Sequence, residues 1–172
     1  MTPRDATVTT RAVKKYLRTT VHLSRDNVSF LGMLNAVSLP KIERKKSKLH
    51  GYGVFARQSI NKNKRIIDYA GELISNKQSE AREDKYLSKG CIWVFRVNRK
   101  WSRDAAHGGN VARFINHSCK SNCWIEVDAK TMTIWVRASR QIRPGEELTY
   151  DYNTEGDKVI PCRCRPGCKT KL

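Results

Sequence analysis

This chain is poor in acid and has no long apolar run, and each shortage closes off a class of protein. In 172 residues, 16 Asp and Glu stand against 34 Lys and Arg, a formal net charge of +18. Such a surplus is either a solvated surface or the footprint of a polyanionic partner such as DNA or a nucleosome, which rewards every phosphate neutralised. No apolar stretch approaches the roughly 18 residues that a spanning helix needs, so no membrane partner is expected. No secretory signal peptide is legible at the start, and the six cysteines therefore point to metal or free thiols before disulfides. Residues 1–25 are rich in Ser, Thr, Arg and Lys, as organelle transit peptides are, but Asp5 and Asp26 count against that reading. The length suits one catalytic domain with short extensions.

What is present begins with two amphipathic stretches. Val13, Leu17 and Val21, then Val28 and Leu31 with Phe30, Met33, Leu34 and Val37, fall at helical spacings, with Ser24 to Asn27 as a break and Pro40 as a stop. They predict a helical extension over residues 1–40, either a collar on the domain or an arm for a partner or DNA. The basic run KIERKKSK (41–48) reads equally as a nuclear-import or nucleic-acid patch and as a solvated first strand or loop. Short strands are expected at 52–55, 65–69 and 72–74, with a turn at 61–64. Ser75 looks like the N-cap of a helix running through Arg82 to Leu87. Further strands are expected at 91–97, 125–127 and 133–136, with turns near 128–131 and 143–146. No internal repeat appears. The composite is mostly β, with α+β at the margin.

Three segments carry chemistry. RFINHSC (113–119) packs a cation, an amide, an imidazole and a thiol into seven residues behind Gly108 and Gly109, PGEELTYDY (144–152) follows, and CRCRPGC (162–168) brings three thiols together. Local turn capping would also explain an adjacent Asn and His. Gly51-Tyr52-Gly53 allows a tight turn and close approach to main-chain groups, yet it lacks the third glycine and the helix of a dinucleotide fingerprint. Three thiolates are too few for a closed tetrahedral metal site, so a fourth ligand must come from elsewhere. Cys91 and Cys123 are assigned to packing.

With HGYGVF (50–55), YAGE (69–72), Arg82, Glu83, Tyr86, VFR (94–96), Asp104-Ala105 and Gly109-Asn110, these segments resemble the SET-domain protein lysine methyltransferases over residues 41–168. The trithorax / mixed-lineage-leukaemia branch is resembled most. The resemblance implies small curved sheets around a knot-like crossing, in which the 113–119 segment threads beside 144–152. It divides the chain into the extension (1–40), a SET domain (41–152) and a post-SET zinc-binding tail (153–172). It also implies S-adenosylmethionine as cofactor, contacted by His50, Gly51, Tyr52, Gly53, Tyr86, Trp93, Arg113, Asn116 and His117. Asn116 would accept from the cofactor's ammonium, and the His117 backbone would pair with adenine.

Tyr152 is implied as the catalytic tyrosine, orienting the lysine amine without being the base, and Tyr150 as the switch that limits how many methyl groups are added. Zinc would be held by Cys119, Cys162, Cys164 and Cys168. Two departures bear on this: Trp93 stands where the branch has a channel tyrosine, and the spacing after Cys164 is one residue shorter than usual. The function expected is a lysine methyltransferase, histone-directed and mainly monomethylating, with acidic patches holding the basic tail while the basic surface meets nucleosomal DNA. A non-catalytic chromatin or nucleic-acid module, and a methyltransferase of another basic protein such as a ribosomal one, are the alternatives. A nuclear, chromatin-bound location follows from the first reading, with the cytosol as the alternative.

Overall fold

The computed structural model describes residues 38–154 and 160–172; the helices expected before Pro40 fall outside them. Ten short strands and one α-helix make up the described part, so the mostly-β expectation holds. Strands β1 (Ile42–Lys46), β2 (Tyr52–Ala56), β10 (Glu147–Tyr150) and β7 (Asn116–His117) form a four-stranded sheet in the order β1-β2-β10-β7. Strands β3 (Arg65–Asp68), β9 (Thr133–Ala138) and β8 (Cys123–Asp128) form a second sheet in the order β3-β9-β8. The third sheet, β4-β6-β5, is built from β4 (Glu72–Ser75), β6 (Trp101–Asp104) and β5 (Val94–Arg96). One core joins them, with Val54, Ile60, Ile66, Ile115, Ile134, Val136, Ile142 and Leu148 all at most 1% exposed. Burying branched side chains at about 25 cal/mol per Å² of apolar surface is what holds sheets this small.

The basic run 41–48 resolves into strand β1, paired along its length with β2 from Ile42–Ala56 to Lys46–Tyr52. Helix α1 (Asn76–Leu87) starts as expected at Ser75, whose hydroxyl accepts the Gln78 N–H while the Gln78 side chain accepts the Ser75 N–H, a reciprocal capping box. The strand expected at 91–97 is shorter. Gly90 takes a positive φ of 68° and Cys91 N–H returns to the Tyr86 carbonyl, so residues 88–91 finish the helix and pairing begins only at Val94.

Strand β6 was not foreseen, although it is the middle strand of its sheet. Its inward side chains are Ser102 and Asp104, 1% and 0% exposed, which reverses the usual polarity. Ser102 donates to Asn76 Oδ1 at 2.8 Å, and Asp104 accepts from Arg82 Nη1, the Tyr86 hydroxyl and the Ala106 N–H at 2.8, 2.8 and 2.9 Å. Each buried acceptor is met, which is what allows polar groups there.

The crossing is made by β7 and β10. They run parallel, with Thr149 opposite Asn116 and Tyr150 opposite His117, and a 3-10 helix (Val111–Phe114) capped by the Asn110 side chain leads into β7. Segments about thirty residues apart are thereby laid side by side.

Candidate active site

The crossing brings the two chemistry-rich segments to one place, and a cavity of about 520 Å³ opens beside them. That volume lies in the usual range for small-molecule sites, roughly 300–1,000 Å³. His50, Gly51, Tyr52, Trp93, Arg113, Asn116, His117 and Tyr152 all line it. Gly53 and Tyr86, grouped with them on sequence, do not. Gly53 is buried against the Glu147 side chain, and Tyr86 packs on Trp93 with ring centroids 5.4 Å apart while its hydroxyl donates to Asp104.

Two polar groups in the wall are set for a ligand. The Asn116 Nδ2 donates to the carbonyls of His50 and Tyr52 at 3.3 and 3.0 Å and to Glu147 Oε1 at 2.8 Å, which leaves the amide oxygen as the acceptor on offer. The Arg113 guanidinium lies 5.8 Å from the Trp93 ring and 4.8 Å from that of Phe114, and Nη1 donates to the Ala105 carbonyl at 3.3 Å. Its Nε is buried with no partner among the described residues. A buried donor without an acceptor is costly unless a ligand supplies one, so the wall fits a polar molecule with both donor and acceptor groups.

A second cavity, of about 670 Å³, lies beyond. Both cavities are lined by Cys91, Trp93, Tyr152 and Leu172, which therefore stand at their junction. Cys91 is thus a wall residue and not a packing one; Cys123, 2% exposed in the core, does pack as expected. Aromatic rings line the second cavity in a chain: Tyr69 to Phe95 at 5.6 Å, Phe95 to Tyr150 at 6.1 Å, and Tyr150 to Tyr152 at 4.9 Å. Tyr152 also meets the His117 ring edge-on at 5.4 Å, takes His117 Nδ1 as acceptor for its N–H, and donates its hydroxyl to the Ile115 carbonyl at 2.8 Å.

Burial pushes the hydroxyls of Tyr69, Tyr150 and Tyr152 well above the ordinary tyrosine range, so all three stay neutral. Tyr69 was given no site role on sequence, since only its place in YAGE marked it. Its hydroxyl donates to the Trp93 carbonyl at 3.1 Å, and the same carbonyl accepts the Ala105 N–H at 3.0 Å. Trp93 therefore sits rigidly at the junction although no strand includes it.

The four expected metal ligands do converge. The sulfurs of Cys119, Cys162, Cys164 and Cys168 all lie within 4.8 Å of one another, with Cys119 3.9 Å from Cys162 and 3.8 Å from Cys168. Thiolates about 2.3 Å from a tetrahedral zinc stand roughly 3.8 Å apart, so the donor set and its spacing fit that ion. The shortened loop after Cys164 is accommodated by Gly167, whose φ is 70°. Beyond the cluster, Ile160 and Leu172 exchange backbone hydrogen bonds of 3.0 and 2.8 Å, and both residues line the first cavity. The family resemblance implied that the metal would pin this tail over the site, and the tail does line the first cavity through Ile160, Cys164 and Leu172.

A fold of small sheets around a parallel crossing, with a cavity on either side of one tyrosine, defines the SET class of domain. The family description "SET domain" matches residues 51–153, and the chain belongs to that family. It is 43% identical over 134 residues to the "Histone-lysine N-methyltransferase, H3 lysine-4 specific" of Schizosaccharomyces pombe, covering 73% of this chain and 14% of that protein. It is 42% identical over 132 residues to "Histone-lysine N-methyltransferase trr" of Drosophila melanogaster, covering 72% of this chain and 5% of that one. These relatives bear out the resemblance to the trithorax branch. The chain thus spans a small fraction of the relatives it matches. Among solved structures it is similar to "ctPRC2 in an autoinhibited conformation bound to S-adenosylmethionine", with a TM-score of 0.60 at 29% identity over 67% of this chain and 15% of that one.

Proposed function

We propose that this chain is an S-adenosylmethionine-dependent protein lysine N-methyltransferase acting on a histone tail, and mainly a monomethylating one. The observation that carries the reading is the junction: two cavities, one with Asn116 and Arg113 in its wall and one lined by Tyr69, Phe95 and Tyr150, meet at Tyr152 and Trp93. A reaction between two bound molecules needs such an arrangement, because holding both reactants in line replaces much of the entropic barrier. Residues 41–152 would form the catalytic domain, 1–40 an extension and 153–172 a zinc-bound tail.

S-adenosylmethionine would supply an electrophilic methyl on a sulfonium. The chain's own residues then have two tasks, alignment and delivery of a neutral amine. A lysine of pKa about 10.4 loses its proton at a cost of about 4–5 kcal/mol at pH 7. The ring chain from Tyr69 to Tyr152 desolvates the ammonium and lowers that cost. The neutral Tyr152 hydroxyl, held by Ile115 O, is placed to orient the amine, and its raised pKa argues against its acting as the base. Asn116 and Arg113 would hold the cofactor's polar groups, and the cysteine cluster would fix the tail that carries Ile160 and Leu172 over the site.

The substrate assignment rests on the relatives, several of which are named for lysine 4 of histone H3; in the second cavity the acids Glu83 and Asp151 stand beside Arg96 and Arg99, so its lining charge does not by itself select a basic tail. Nucleosomal DNA is the partner proposed for the basic surface, and chromatin the location. Incubation with labelled S-adenosylmethionine and, separately, free histones, nucleosomes and ribosomes, at two salt concentrations, tests all of this. Labelling of H3 at lysine 4, with a nucleosome reaction more salt-sensitive than the histone one, is expected. Labelling confined to ribosomes, or none at all, overturns the reading.

A further inference from the structure

We propose that Glu147, which lies in the 144–152 segment but was given no site role on sequence, is a positioning residue that presets the cofactor wall; the inference rests on the function proposed above. Its carboxylate joins three separated segments. Oε1 accepts from Asn116 Nδ2 at 2.8 Å, and the Ser47 hydroxyl donates to Oε1 and Oε2 at 2.8 and 3.0 Å. Ser47 Oγ accepts the backbone N–H groups of Leu49 and His50 at 2.9 and 3.4 Å, and so shapes the loop that runs into Gly51. Gly53 comes so close that a Cβ there would meet Glu147 Oε1 at 2.1 Å. The loop, the crossing and β10 are therefore tied through one side chain.

An ionised carboxylate accepts hydrogen bonds and donates none. Facing the Asn116 amide, it permits only the orientation with Nδ2 towards itself, and the carbonyls of His50 and Tyr52 on the same side require that orientation too. The Asn116 oxygen is thereby aimed away, as an acceptor for a donor such as the cofactor's ammonium. Glutamine at 147 has nearly the same shape but offers an NH₂ as well as an oxygen. It relaxes the orientation and removes a negative charge from beside a cationic ligand. Glu147 itself lines neither cavity; it acts through Asn116 and through the loop.

The test compares S-adenosylmethionine with methylthioadenosine, which keeps the adenine and ribose and lacks the amino-acid end. Glu147→Gln should weaken calorimetric binding of S-adenosylmethionine about tenfold, the scale of one charge-assisted hydrogen bond, and raise its KM while the peptide KM holds. Binding of methylthioadenosine should stay within about twofold. Gly53→Ala is the second variant, because its methyl group displaces the carboxylate without altering residue 147; it should show the same selective loss. Equal weakening of both ligands in the two variants, or no weakening of either, overturns the proposal and leaves Glu147 a structural residue. A wild-type chain that binds neither ligand would overturn the methyltransferase reading instead, so the two failures are distinguishable.

Discussion

Under the proposed function, Tyr150→Phe should separate the proposed product switch from the proposed catalytic tyrosine, because only the Tyr152 hydroxyl is tied to a protein group. Tyr150 is 5% exposed and lies between Phe95 and Tyr152 on the wall of the second cavity. Its hydroxyl makes no hydrogen bond among the described residues, whereas the Tyr152 hydroxyl is bound to Ile115 O at 2.8 Å. On the proposed function, that hydroxyl would be met by the amine or by a water in the cavity it lines. Adding a second methyl group displaces that partner without replacing its hydrogen bond. At about 1–1.5 kcal/mol per net hydrogen bond, the rate of the second step relative to the first should fall roughly five- to tenfold in the wild type. Tyr150→Phe should restore it, giving di- and trimethyllysine with the first rate little changed. The same change orphans no protein group, so thermal stability should hold. Tyr152→Phe should suppress every step, and by leaving the Ile115 carbonyl unpaired it should cost about 1–3 kcal/mol. Trp93, whose bulk sits at the junction, should act in the direction of Tyr150. A mass-spectrometric time course on one peptide decides: accumulation of trimethyllysine by the wild type, or an unchanged product ratio in Tyr150→Phe, refutes the reasoning.

Asn116→Ala should abolish measurable calorimetric binding of S-adenosylmethionine, since the ammonium loses a bond of about 1.5–3 kcal/mol; unchanged affinity would remove Asn116 from the site. Strong chelation, or Cys164→Ser, should reduce activity more than global stability, because the metal closes the tail and not the core; a zinc-free preparation with full activity would rule this out. Acid should destabilise the fold through Asp104. Burial raises its pKa, but bonds from Arg82, Tyr86 and the Ala106 N–H outweigh this and hold it below the usual carboxylate value. A carboxyl group with a depressed folded pKa contributes stability that is full above the unfolded value, about 3.9, and is lost as pH falls through the folded one. Denaturant melts should therefore weaken below about pH 4, with a shallower acid limb in Asp104→Asn; an identical limb would assign the loss to other carboxylates.

The fold was legible wherever a strand kept its apolar alternation. Strands β2, β3, β8 and β9 lie where the sequence placed them because Val54, Ile66, Ile125, Ile134 and Val136 carry the period-2 signal. Strand β6 stayed hidden because its buried positions are Ser102 and Asp104, and no scale of hydrophobicity marks a buried acid whose partners lie 18 to 22 residues away. Strand β7, two residues long, is too short for any period. The family motifs named cofactor-contacting residues that, Gly53 and Tyr86 apart, line one cavity, yet they gave none of its geometry. That Tyr86 would turn to Asp104, that Tyr69 would join the ring chain and that Leu172 would wall both cavities depend on contacts between distant segments.

The crossing explains why so short a stretch does so much. Residues 116 to 119 hold the Asn116 amide that lines the first cavity, the imidazole against Tyr152 and the cysteine that joins the four-thiol cluster, and the parallel pairing with β10 sets the segment against Tyr150 and Tyr152. A displacement of this segment large enough to release Cys119 also moves Asn116 and His117. Under the proposed function, cofactor binding and metal binding should therefore not be independent. Since linkage is reciprocal, whatever the metal contributes to ordering the cofactor wall, the cofactor contributes to retaining the metal. The same geometry makes the tail the sensitive part of the site, because the backbone of residues 160–172 is held to itself by four hydrogen bonds, two between Ile160 and Leu172, one from Cys162 N–H to the Thr170 carbonyl and one from Cys168 N–H to the Arg165 carbonyl. Without a metal to hold the cysteines, those bonds would have to offset the conformational entropy of about a dozen ordered residues, at roughly 1–2 kcal/mol each. Four bonds of about 1 kcal/mol do not, so the wall of the site should be lost before the core is.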